Sequence, residues 1–183
     1  MHAQLQAIAD TLDRFAELSG RFIAWLTLAM VLTTVTIVML RYLFQSGSIA
    51  LQESVTYLHA TVFMLGAAYT LKHDGHVRVD ILYQKMTPRT RAWINLLGTL
   101  LLLFPVCIFM LYTSMDYVMA AWAIQEGSRE AGGLDGVYLL KTAIPLMAIL
   151  LLLQGCSMLL RNLLVIAGYP PPEDRDSGLD QEL

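Results

Sequence analysis

The sequence is poor in the residue types that build reactive sites. Cysteine occurs twice in 183 residues, as Cys107 and Cys156, and both fall within apolar runs. That excludes a disulfide framework or a cysteine-based metal centre and leaves two buried apolar thiols as the expectation. Histidine occurs four times. His2, His73 and His76 are terminal or in a loop, and only His59 lies inside an apolar run. A bis-histidine haem needs two histidines on different helices at matching depth, so no cofactor is expected. Charge is scarce too. Asp, Glu, Lys and Arg make up 15% of the chain, against about 25% in soluble domains. The net charge of -3 offers no basic surface for nucleic acid.

What fills the chain instead is apolar sequence, 56% of it, and it is gathered into four runs. These span residues 22–40, 54–71, 92–115 and 142–160, bounded by Arg21 and Arg41, Glu53 and Lys72, Arg91 and Asp116, and Lys141 and Arg161. A bilayer core of about 30 Å needs about 20 helical residues. The expected fold is therefore an all-α integral membrane protein with four transmembrane helices, over a membrane domain of residues 20–168. Ahead of it, Leu5, Ile8, Leu12 and Phe15 recur at helical spacing among charged residues. Residues 1–19 thus read as an amphipathic helix on the cytoplasmic surface. Residues 169–183 are polar and proline-rich and read as a disordered cytoplasmic tail.

The connections have internal order. Gln45, Ser46 and Gly47 break the first run, Gly75 allows a tight turn after the second, and Thr87-Pro88 reads as an N-cap with proline in the first helical turn. The outer loop, residues 122–141, is too polar to span and too apolar to leave the membrane, so it should hold a short interfacial segment. Nine Lys and Arg residues lie at the termini and in the loop joining runs two and three, against Arg41, Arg129 and Lys141 on the other side. Both termini are therefore expected in the cytoplasm. Trp93, Tyr117 and Trp122 are placed as interfacial anchors.

Few residues could carry chemistry. His59 is expected to hydrogen-bond a neighbouring helix, and Glu53, before the second run, to stabilise a helix N-terminus. His73, Asp74, His76 and Asp80 fit no standard zinc spacing and read as part of a polar turn that fixes topology. The outer loop has no histidine, so no hydrolytic triad can be assembled there. The run centres are aliphatic, with Thr33, Thr34, Thr36, Gln154 and Ser157 as their main polar content. A secondary transporter carries more polarity near the midplane, and Pro105 alone does not supply it, since proline is tolerated in membrane helices. The chain reads as no enzyme, with no metal or cofactor, and as a helper of another membrane protein. The alternatives are a self-contained small channel or exchanger using Glu53 and His59, or the membrane anchor of a redox enzyme.

The loops carry a resemblance. Arg41-Tyr42-Leu43-Phe44, Glu53, the run from Phe63 through Gly66 to Tyr69, and His76-Val77-Arg78-Val79-Asp80 resemble the small membrane subunit (DctQ-like) of tripartite ATP-independent periplasmic (TRAP) transporters. So do Glu126-Gly127-Ser128 with Gly132-Gly133-Leu134, and the entry to the fourth run at Lys141 and Pro145, ending at Gln154-Gly155. Asp135 departs from the family, where proline is expected. The resemblance implies a multi-pass protein of the bacterial inner membrane with two partners, a large sodium-coupled transport subunit and a periplasmic solute-binding protein. This chain would brace the first and help dock the second for carboxylate uptake. The residues carrying the motif become candidate partner contacts: Arg41, Glu53, Gly66, His76, Arg78, Asp80, Glu126, Ser128, Gly132, Gly133, Lys141, Pro145 and Gln154.

Overall fold

The computed structural model describes residues 2–76, 83 and 85–169. Arg78, Asp80 and the tail beyond Tyr169 lie outside the described residues. Among the described residues the regular structure is entirely helical. Helix α1 covers His2–Leu43, α2 Ile49–Lys72, α3 Pro88–Gly98, α4 Phe104–Ala123 and α5 Val137–Ile166. A π-helical turn, Thr99–Leu103, joins α3 to α4, so the two form one rod of 36 residues. Three of the rods, α1, α3–α4 and α5, are long and apolar enough to cross a membrane. Helix α2, at 24 residues, is long enough, but Thr56, Tyr57, His59, Thr61, Tyr69 and Thr70 dilute its apolar content. The expectation of four spans is therefore met by composition in three helices.

Helix α1 differs from its expectation. Residues 1–19 and the run 22–40 read as two elements, a surface helix and a span, but one helix runs unbroken for 42 residues, about 63 Å at 1.5 Å per residue. Gly20 lies within it, where the Tyr69 ring of α2 occupies the space a side chain would need. The face turned inward is not the large apolar one. Ile8 and Phe15 are exposed, while Ala9, Ala16 and Ile23 are buried, a seven-residue spacing of small or branched groups that lets helices approach closely.

Helix α2 starts at Ile49, five residues before its apolar run. The Ser48 hydroxyl accepts from the Leu51 amide at 3.4 Å, an N-cap that satisfies a free donor of the first turn. Its C-terminal turn closes through the Gly75 amide donating to the Thr70 carbonyl at 2.9 Å. The left-handed residue there is Asp74, at φ 53°, not Gly75. The Thr87 N-cap is as read: its hydroxyl accepts from the Thr90 amide at 3.3 Å, with Pro88 opening α3. Pro105, which has no amide hydrogen, follows the π turn, where the Phe104 amide reaches back to Thr99. The wide turn relieves the clash a proline ring makes with the preceding turn.

Helix α5 is the centre of the bundle and packs against every other helix. Its inward positions are Ala143, Pro145, Ala148, Leu150, Gln154, Gly155, Ser157 and Leu164. Gly155 receives the π turn: a Cβ there would lie 2.6 Å from Phe104 Cε1 and 3.0 Å from Leu103 Cδ2. Cys107 is buried as expected, but Cys156 is exposed, and both are free thiols.

Candidate functional site

The polar side chains gather at the two ends of the bundle. At the outer end the organising group is Glu53, one turn into α2 on its water-facing end. One carboxylate oxygen accepts a short hydrogen bond from the Ser128 hydroxyl. The other accepts from the Leu134 amide at 2.7 Å. Those donors, the Leu134 amide first and Ser128 second, hold the Glu53 carboxyl below its ordinary range. They favour the ionised form, so the clasp is complete at neutral pH and is lost only as pH falls through that lowered value.

The loop folds back on this carboxylate. The Ser128 amide donates to the Leu134 carbonyl at 3.0 Å, and the Gly133 amide to the Glu130 carbonyl at 3.0 Å. Gly132 supplies the left-handed turn at φ 79°, where glycine costs least. Gly133 faces Ser128 and Glu53 so closely that a Cβ there would meet Glu53 Oε2 at 2.8 Å. Asp135, the departure from the expected proline, packs on Gly127, whose added Cβ would lie 2.6 Å from its carboxylate oxygen. A second strap sits beside the first. Lys141 pairs closely with Glu126 and lies 3.9 Å over the Tyr117 ring. The Trp122 indole N–H donates to Thr142 at 2.9 Å. Glu126 and Lys141 are thus partners of each other, while Arg129, Glu130 and Asp135 are exposed.

The inner end holds a network that sequence reasoning missed. Asp13 of α1 accepts from Ser157 at 2.6 Å, Gln154 at 3.1 Å and Arg161 Nε at 2.8 Å. Arg161 also donates to Asp10 at 3.0 Å. Beside it, Glu17 receives Lys72 at 2.6 Å and His73 at 3.0 Å. The signal was present as acids at helical spacing on α1, Asp10, Asp13 and Glu17, but nothing in one dimension says which cation each meets.

The remaining candidates fall elsewhere. Arg41 lies at the α1–α2 corner in an open cavity of about 330 Å³ with Gln45, Ser46, Gly47 and Gln52. Gly66 faces Ile23 at an ordinary distance, 3.9 Å. Pro145 is buried. His76 lines a shallow cavity with Leu71, Asp74 and Met158. Among the described residues no three His, Cys, Asp or Glu side chains converge as a metal site.

A chain whose described residues are helical, with long apolar rods and its ion pairs gathered at the ends, is a multi-pass membrane protein. The family model for the DctQ component of tripartite ATP-independent periplasmic transporters matches residues 30–165, well over half of the chain, and the protein belongs to that family. It is a small membrane subunit of a TRAP transporter, a tripartite system that includes a large membrane subunit and a solute-binding protein. A comparison with curated proteins finds no match. The inner network draws its acids from residues 10–17, ahead of the matched stretch.

Proposed function

We propose that this subunit braces the large sodium-coupled subunit in the inner membrane and offers its outer loop to the solute-binding protein during organic-acid uptake, without catalysing or transporting by itself. The observation that carries this reading is the distribution of buried polarity. Thr99 and Ser114 bond only to carbonyls of their own helices, and Gln154 and Ser157 belong to the inner network. Among the described residues no polar path joins the two ends. A pathway needs polar groups at mid-depth; a brace does not. Extraction of a tagged copy in mild detergent should bring the large subunit with it, and recovery of this chain alone from membranes containing both would count against bracing.

In this reading all four long rods span, both termini are cytoplasmic, residues 1–19 ride on the cytoplasmic side, and the Glu53 clasp presents a rigid periplasmic ledge. Trypsin added to intact spheroplasts probes orientation and clasp together. Cleavage at Arg129 should be slow in the native chain and about tenfold faster in Glu53→Ala, because a loop that opens locally exposes its backbone. Equal rates would leave the clasp without a role, and cleavage only in inside-out vesicles would reverse the orientation.

A further inference from the structure

Helix α2 carries a stripe that the fold does not use. Gln52, Thr56 and His59 are exposed, and Phe63 is 74% exposed. Their spacing of four, three and four residues places them along one side of the helix. His59 lies about 15 Å from Ile49 and about 20 Å from Lys72 along the axis, close to the middle of a membrane-length helix. The hydrogen bond to a neighbouring helix expected for His59 is not made within the chain: among the described residues its ring has no partner, and neither does the Thr56 hydroxyl. At the outer end the stripe runs into the corner cavity, where Arg41 lines the same space as Gln52 and makes no ion pair among the described residues.

A polar group turned to hydrocarbon is costly, and polar residues within a membrane segment face protein or water. On the other exposed faces that need is met nearer an end: Tyr112 of α4, 81% exposed, lies about one turn from the exposed Asp116 and reaches the interface as tyrosines do. The α1 threonines Thr34 and Thr36 bond their own helix carbonyls, and α4 offers Phe109 and Ile108. We infer that the α2 stripe is the face on which a transmembrane helix of the large subunit seats, with a hydrogen-bonding side chain opposite His59 and a carboxylate opposite Arg41. This rests on the bracing reading and names its contact face. An unpaired cation at the outer mouth and an unpaired imidazole deeper along the same line fit a helix bearing an acid and an amide or hydroxyl at the matching interval.

The test places a photoreactive benzophenone side chain at position 63 or at position 109, in membranes that also contain the large subunit, and follows co-purification separately. Position 63 should give an adduct with the large subunit and position 109 should give only lipid adducts. His59→Leu should lower the retained large subunit about threefold to tenfold, the range of one interhelical hydrogen bond, and His59→Gln should restore it. Adducts from position 109 and none from 63, with the two subunits still co-purifying, would overturn the assignment of the face and leave bracing intact. An adduct between two copies of this chain at position 63 would overturn it in favour of self-association. Failure of the subunits to co-purify in any form would overturn the bracing reading and this inference with it.

Discussion

Asp13→Ala should destabilise the chain by about 2–3 kcal/mol, somewhat below the roughly 3–5 kcal/mol for breaking a fully buried pair, because Arg161 keeps some solvent. Side-chain exposure is 14% at Asp13 and 32% at Arg161. The carboxylate is the common acceptor for Ser157, Gln154 and Arg161, so its loss strands Gln154 and leaves Ser157 only the Ala9 carbonyl and Arg161 only Asp10. At about 2–4 °C per kcal/mol for a chain of this size, the midpoint of thermal unfolding in detergent should drop by several degrees. The first turns of α1 should become accessible to protease, since that carboxylate ties them to α5. Arg161→Leu should cost a similar amount. The double variant Asp13→Leu with Arg161→Leu should cost clearly less than the sum of its single variants, as coupled neighbours do. Additive effects, or an unchanged midpoint in Asp13→Ala, would mean that packing of Ala9 and Ala16 alone holds the N-terminal helix.

This network marks where the sequence stops being readable. Ser157 and Asp13 are 144 residues apart, and Glu53 meets partners 75 and 81 residues away. Residue type announces a donor or an acceptor. It does not announce the meeting, which depends on how long helices lie against one another. Glu53 shows the consequence. A carboxylate near the start of a helix reads as a local electrostatic cap, yet Ser48 caps the helix and Glu53 serves the loop.

Local features were legible because their physics is local. The apolar runs gave the helices, Thr87-Pro88 gave the start of α3, and the loop motifs from Arg41 to Gly168 gave the family over nearly the stretch that the family model covers. The failures are also physical. Residues 1–19 read as a surface helix apart from the first span, whereas α1 runs on through Gly20, which packs against the Tyr69 ring. Pro105 reads as tolerated, but the sequence does not announce the π turn upstream of it, seated on Gly155, that accommodates it. His59 reads as bonding a neighbouring helix, yet among the described residues its ring has no partner.

Bracing without transport, as proposed, has a direct consequence: uptake needs this subunit, and this subunit alone supports none. The most direct measurement is uptake of the organic acid into proteoliposomes under a sodium gradient, with the solute-binding protein outside. Three preparations are compared: both membrane subunits, the large subunit alone, and this chain alone. The account predicts uptake only with both membrane subunits present and background levels from the other two. Sodium-driven uptake by this chain alone, or full uptake by the large subunit without it, would contradict the account.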